Sequence, residues 1–200
     1  MQKTQERDVA EATDIVAQIQ RALASTGRVV SAIDDRHWRT ATLCRPWDVR
    51  EELNHLVGGM RIFAAMLEGR SPEAEHESDW LGHDPQAAFG QAAALDAAAW
   101  QRDDALAGTL TLGFGRLPRP MAAAVHLTEV VVHGLDIAIA IDRPDLADED
   151  LSAGLLDSMH AMGGLDPFRV PGMFGAQVPA AADSPPHRRL LAYTGRHLDV

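Results

Sequence analysis

Apolar residues recur at helical spacing along most of this chain and divide it into a series of predicted helices. The first predicted helix, over about residues 8–25, has an apolar stripe formed by Val9, Ile15, Val16, Ile19 and Leu23. Gly27 follows this stripe as the predicted stop. A single stripe of this kind is typical of a helix with one face toward a core.

Capping residues mark the starts of two further helices. Asp48 followed by Glu51 is a variant of the capping box, and the apolar positions after it predict a helix that ends at Gly69. Pro85 directly after an aspartate is typical of a helix start. The alanine-rich stretch that follows predicts a third helix that reaches about residue 107.

The second half of the chain continues the helical pattern. The apolar spacing predicts a fourth helix over about 121–141, a fifth over about 149–162, and one or two helical turns at 186–193. Residues 109–120 alternate briefly but contain glycines and prolines, which indicates a short extended segment too isolated to build a sheet. The polar residues 70–83 indicate a loop, and loops of this length are often functional.

These elements predict an all-α protein. The expected fold is a four-helix bundle with an additional C-terminal helix and a loop-rich tail. A chain of 200 residues suits one compact domain with a small appendage. We therefore expect a metal-binding helical bundle over residues 1–165 and a C-terminal extension packed on it over residues 166–200.

Charge and cysteine content narrow the classes of partner. A formal net charge of -11, with Lys3 as the only lysine, argues against nucleic acid and against anionic membranes. No apolar run approaches the ~20 residues that a membrane span needs. The single cysteine, Cys44, excludes an internal disulfide and, with the polar N-terminus, favours a cytoplasmic location. The expected partners are metal ions and small molecules.

The fourth predicted helix carries an unusual set of polar residues in an apolar run. At about 100° per residue, His126, Glu129, His133 and Asp136 fall within a stripe roughly 80° wide. Glu129 and His133 are four residues apart, so their side chains are neighbours on one face. Burial of two imidazoles and two carboxyls must be compensated. A divalent cation is the simplest compensation.

A third ligand must come from another helix, and His55 is the best candidate. It lies in the middle of the second predicted helix, one turn before Gly58 and Gly59. Two glycines in a helix interior are unfavourable, which indicates either close helix approach or open space for a solvent ligand or substrate. Together with Glu129 and His133, His55 would form a set of two histidines and one carboxylate with open coordination positions. Such a set suits one divalent metal, with zinc preferred and nickel or iron as alternatives.

Each of these residues also has an interpretation without a metal. His55 could be a hydrogen-bonded core histidine, and Glu129 with His133 could be an ordinary helical pair. Asp136 is better suited to orient a histidine than to ligate. His126 could be a fourth ligand, a donor that orients another group, or a general base, and we assign it as the proton shuttle.

Two blocks of the sequence resemble a known family. Residues 42–57 (TLCRPWDVREELNHLV) and 129–138 (EVVVHGLDIA) are similar to motifs of the DinB-like metal-binding bundle superfamily. Within it they resemble the metal-binding domain of mycothiol-dependent maleylpyruvate isomerases. The segments 170–175 and 188–196 are similar to the ending common in an actinobacterial-type branch, so the likeness covers about residues 8–196.

The resemblance implies a DinB-like four-helix bundle that binds one divalent metal through His55, Glu129 and His133. Family members often carry an arginine where this chain has His126. Family isomerases also have a further C-terminal domain with substrate-contacting residues. The resemblance therefore does not imply maleylpyruvate isomerisation itself.

Three functional hypotheses follow. The leading one is a metalloenzyme of the S-transferase or isomerase type that activates a low-molecular-weight thiol such as mycothiol or bacillithiol toward an electrophile. Residues 70–83 or 109–120 would then form a lid. The alternative is a non-catalytic, metal-stabilised bundle that acts as a binding module or a homodimeric stress-response protein. The third is a bundle whose buried polar network binds no metal.

Overall fold

The computed structural model of the chain is a helical bundle, and it describes residues 2–113, 115–170 and 172–198, with side chains from residue 15 onward. Within these residues there are six helices: α1 (Gln2–Ser31), α2 (Val49–Leu67), α3 (Pro85–Trp100), α4 (Arg119–Ala140), α5 (Glu149–Ala161) and α6 (Pro186–Tyr193). Two short strands, β1 (Thr109–Leu112) and β2 (Gly115–Pro118), pair with each other. The predicted all-α fold is confirmed.

The bundle is built from four helices in two packed pairs. Helix α1 packs on α4 and α3, and α2 packs on α3 and α4. Their apolar faces meet in one core, whose fully buried members include Ile19, Leu53, Met60, Trp100, Leu127 and Ile137. Helix α4 therefore lies against both α1 and α2, which explains why it carries buried side chains on most of its circumference.

Two predicted helix ends are wrong. Helix α1 does not stop at Gly27 but continues to Ser31. A Cβ on Gly27 would lie 3.6 Å from the Phe89 ring, so this glycine faces α3 inside the helix and does not cap it. Helix α3 ends at Trp100, because residues 101–108 form turns in place of further helix. Val9 of the predicted apolar stripe lies outside the residues whose side chains are described.

The expectation that no apolar run approaches the length of a membrane span is wrong for helix α4, which is long and apolar enough by length and composition. In its most apolar window, however, 78% of the residues are buried inside the fold. Its position between α1 and α2 accounts for this composition. The prediction that the chain does not bind membranes stays a prediction.

The hairpin and the tail complete the fold. Residues 109–112 pair antiparallel with 115–118 in a two-stranded sheet, so the expectation that this segment is too isolated to build a sheet is wrong. Helix α6 packs on α5 and on α4, which brings the tail against the bundle. The division predicted at residue 165 stays a prediction.

Candidate metal centre

The three predicted metal ligands lie together where α2 passes α4. Nε2 of His55 lies 3.2 Å from Oε2 of Glu129, and Nε2 of His133 lies 3.2 Å from the same oxygen. One ligand atom from each residue lies within 4.8 Å of the other two. The helical spacing explains the pair on α4, and the α2–α4 packing adds His55 to it.

The cluster is buried on one side and open on the other. The side chain of His133 is 8% exposed, whereas those of His55 and Glu129 are 25% and 38% exposed. A ligand could therefore reach the cluster from the side of His55 and Glu129. A closed, purely structural metal site would have no such opening.

Glu52 lies directly behind His133. Its Oε1 is 2.6 Å from Nδ1 of His133, and its side chain is fully buried. In the tautomer in which Nδ1–H donates to this carboxylate, Nε2 keeps its lone pair and points it toward Glu129 and His55. Histidines that ligate metals are oriented by carboxylates in this way.

The sequence predicts Asp136 for this orienting role, and Glu52 was missed. Oδ2 of Asp136 lies 3.8 Å from Nδ1 of His133, so it is the more distant of the two carboxylates. Helical spacing contained a signal for Glu52, because it precedes His55 by three residues and shares a face of α2 with it. A charged residue on the apolar side of a helix needs a partner, and His133 is that partner.

The donor set of the cluster fits a divalent cation. The carboxyl groups of Glu52, Glu129 and Asp136 all lie within 4 Å of a ring nitrogen of His133. Arg196 is the guanidinium that contacts Asp136. Among the described residues, no hydrogen-bond donor faces Oε2 of Glu52 or Oδ1 of Asp136. A divalent ion close to these buried carboxyl groups would help to compensate their burial.

The pKa shifts of the ligands show how strongly these groups interact. Burial alone would lower the pKa of His133, but its hydrogen bonds to Cys44, Glu129 and Glu52 raise that pKa well above the usual value. Burial alone would raise the pKa of Glu129, but hydrogen bonds from His133 and His55 bring that pKa well below the usual value. Burial, opposed by Glu129, lowers the pKa of His55.

The pKa of Asp136 is shifted upward, in the direction opposite to that of Glu129. Burial and then the nearby charge of Glu52 raise the pKa of Asp136 to about 8, although Arg196 acts in the other direction. The two buried carboxyl groups of Glu52 and Asp136 thus lie near each other, and the Arg196 guanidinium contacts Asp136. A positive charge close to these two carboxyl groups therefore has a strong effect on the pKa of Asp136.

The structure does not bring His126 to the cluster. Its side chain is 2% exposed, its Nε2 lies 2.7 Å from Oδ2 of Asp96, and its ring packs on Phe63 and Trp100. His126 is two helical turns before His133, which is about 10 Å along the axis, and at that level it faces α3. His126 and Asp96 thus form a buried hydrogen-bonded pair in the core. The proton-shuttle role of His126 stays a prediction.

A cleft opens beside His55. Its volume is about 430 Å³, and its lining is formed by Arg39, Trp47, Arg50, Glu51, Asn54, His55, His76, Glu77 and Asp79. The Trp47 ring lies against the His55 ring, with 4.6 Å between their centroids. The cleft is large enough for a small organic molecule, and His55 forms part of its wall.

The predicted loop 70–83 covers one side of this cleft. The ring of His76 lies on that of His55, with centroids 4.4 Å apart, and its Nε2 donates to the backbone carbonyl of His55 at 3.0 Å. The backbone N–H of Trp80 donates to Oδ1 of Asn54 at 2.8 Å. The loop is thus bound to α2 at His55, a predicted metal ligand, and at the adjacent Asn54.

The same loop explains Gly58 but not Gly59. A Cβ on Gly58 would lie 2.6 Å from Nε1 of Trp80 and 3.0 Å from the His76 ring. A Cβ on Gly59 would lie 3.7 Å from His76, an ordinary contact. The loop packs into the groove beside Gly58. Close approach of another helix and open space for a ligand, the two explanations that the sequence suggested, are therefore not needed for this glycine.

We expect Gly58→Ala to detach this loop from α2. The new methyl group overlaps the Trp80 ring, and relief of such an overlap costs about 1–3 kcal/mol. Hydrogen exchange of the Trp80 amide, which donates to Asn54, should accelerate by about tenfold or more. Gly59→Ala is the matched control, and equal exchange in the two variants would show that Gly58 does not hold the loop.

The helical bundle, with two histidines and a glutamate brought together between α2 and α4, is of the DinB-like class. A family model described as the mycothiol maleylpyruvate isomerase N-terminal domain matches residues 19–138, more than half of the chain. The chain therefore belongs to this family. The matched region contains His55, Glu129 and His133 and ends before α5, α6 and the tail.

Comparisons with individual proteins agree with this assignment. Two uncharacterised proteins of Mycobacterium tuberculosis, one from each of two strains, are 29% identical over 160 residues, which cover 78% of this chain and 82% of theirs. The crystal structure of the mycothiol-dependent maleylpyruvate isomerase and that of a histidine-to-alanine variant of it both match with a TM-score of 0.55. Their identities are 17% and 16%, and the match covers 76% of this chain and 72% of theirs. At this identity the likeness shows the fold.

Proposed function

We propose that this protein is a metal-dependent enzyme that activates a low-molecular-weight thiol, such as mycothiol, for reaction with a small electrophile. The observation that carries the proposal is the asymmetric burial of the three ligands. His133 is held from behind by Glu52, whereas His55 and Glu129 are partly exposed and His55 borders the cleft. This arrangement leaves room for a substrate sulfur beside the metal.

The residues that would hold the metal are His55, Glu129 and His133, and zinc is the expected ion. A bound divalent ion lowers the pKa of a coordinated thiol, so the sulfur is present as a thiolate at neutral pH. Glu52 fixes the His133 ring through Nδ1 and keeps Nε2 free for ligation. The rings of Trp47 and His76 both pack on the His55 ring, and these contacts restrict its rotation.

The cleft supplies binding groups for polar small molecules. Arg39 and Arg50 contribute guanidinium groups, and Glu51 and Asn54 contribute acceptors and donors. The Trp47 ring provides an apolar surface next to His55. Such a lining suits the polar body of a thiol cofactor and a charged electrophile, which supports transfer or isomerisation of small molecules.

The test is turnover by the metal-loaded protein. Mycothiol and a panel of electrophiles (an aryl halide, an epoxide and maleylpyruvate) are incubated with the zinc-reconstituted protein, and loss of free thiol or isomerisation is followed. We expect a metal-dependent reaction with at least one electrophile that is abolished by Glu129→Ala and retained by the surface variant His83→Ala. If zinc binds but no electrophile reacts above the metal-free protein, the non-catalytic, metal-stabilised bundle is the better description.

A further inference from the structure

Arg196 of the tail is buried beside the metal centre. Its side chain is 10% exposed, and its Nε donates to Oδ2 of Asp136 at 3.1 Å. A second guanidinium nitrogen, Nη2, lies 3.1 Å from the same oxygen, and Nη1 donates to the carbonyl of Thr194 at 3.2 Å. A buried guanidinium with this many contacts is held in one orientation.

The end of α6 determines where Arg196 points. Thr194 follows the last helical residue, and its hydroxyl donates to the carbonyls of Leu190 and Leu191. Gly195 then takes a φ of +92°, and a Cβ there would lie 2.7 Å from the backbone of Gly175. Only glycine fits this turn, which sends the next residue inward toward α4.

The cluster that Arg196 enters contains competing acceptors. Glu52 and Asp136 are both fully buried, and both carboxylates lie near Nδ1 of His133, at 2.6 and 3.8 Å. His133 has one Nδ1–H to donate. Because Arg196 binds Oδ2 of Asp136, this N–H remains directed at Glu52, and the Nε2 atom remains directed at Glu129 and His55.

We propose that Arg196 is a positioning residue of the metal centre, a cation carried by the tail that holds Asp136 away from His133. The proposal rests on the metal binding proposed above. It gives the tail a function that the family-matched residues 19–138 do not contain. In this account, α6 and Gly195 serve to deliver one guanidinium to α4.

The same region could instead be considered a second metal site. One ligand atom from each of Cys44, Glu52, His133 and Asp136 lies within 4.8 Å of the others. Arg196 already binds Asp136, however, and Nδ1 of His133 is already bound to Glu52. The guanidinium therefore occupies the position of the positive charge that a second ion would bring.

The experiment is a Co²⁺ titration of the metal-free protein, followed by visible absorption, with variants at two tail arginines. We expect one Co²⁺ per wild-type chain. Arg196→Met should weaken binding by about 10–100-fold and alter the absorption bands, because His133 is no longer held in one orientation. Arg196→Lys, which keeps the charge, should recover most of the affinity. Should Arg196→Met not fold, Arg196→Gln provides the neutral variant.

Arg169 provides the matched control. It also binds the tail, through the backbone carbonyls of Tyr193 and Gly175, but it has no contact with Asp136. Arg169→Met should keep the wild-type affinity and spectrum.

Wild-type affinity and bands in Arg196→Met, or an equal loss in Arg169→Met, would overturn the positioning role. A wild-type protein that binds no Co²⁺ would instead overturn the metal site itself.

Discussion

Replacing His133 with alanine is expected to abolish metal binding and to destabilise even the metal-free protein. Removal of the ring takes away the group that donates a hydrogen bond to Glu52, and the carboxylate stays fully buried. Breaking a buried pair in this way typically costs about 3–5 kcal/mol. Urea denaturation in excess chelator measures this loss of unfolding free energy without any contribution from bound metal.

The control for this substitution is His160→Ala. His160 is an exposed residue of α5, and its ring contacts Tyr193 of α6. Its loss should change the unfolding free energy by less than about 1 kcal/mol. A His133→Ala protein as stable as the His160→Ala protein would mean that Glu52 finds another partner, and that its bond to His133 does not hold the ring.

The second large effect is expected at Glu52 itself. Glu52→Gln keeps the shape of the side chain and removes the charge that makes the His133 imidazole a stronger ligand. Substitutions of such supporting carboxylates typically lower metal affinity by about 10–100-fold. Isothermal titration of the metal-free variant with Zn²⁺ measures this change directly.

Glu68→Gln is the matched control, because Glu68 caps the C-terminal end of the same helix and pairs with Arg70 at the surface. It should bind Zn²⁺ as the wild type does. If Glu52→Gln also retained wild-type affinity, the role assigned to Glu52 would be wrong, and Asp136 would be the carboxylate to test next.

Much of the centre follows from local sequence signals. The capping box of Asp48 and Glu51 is present in the structure as predicted and sets the start of α2. Helical spacing places Glu129 beside His133, and the apolar positions around His55 turn it toward the bundle. These are short-range effects, in which a few neighbouring residues decide the geometry.

The partners across helices do not follow from the sequence in the same way. His126 and His133 share a stripe of α4, yet His126 meets Asp96 of α3 while His133 meets Glu52 of α2. A stripe of polar residues shows which face of a helix they share. It does not show which neighbouring helix lies opposite each residue, because neighbouring helices cross at an angle. The role of His126 could not be judged without that information.

The contribution of the tail is the least predictable part. Arg196 and Asp136 are 60 residues apart, and their pairing depends on the packing of α6 and on one glycine with positive φ. No periodicity in the sequence connects them. Zinc as the ion, a homodimer and a cytoplasmic location also stay predictions, since they depend on properties outside one folded chain.

The most direct test of the metal centre is elemental analysis of the purified, untagged protein beside His55→Ala and Glu129→Ala. These two predicted ligands come from different helices and are the more exposed members of the set, so their loss perturbs the core least. We expect about one divalent ion per wild-type chain and none in either variant. A wild-type chain that holds no ion after reconstitution, or variants that retain it, would contradict the proposed metal centre.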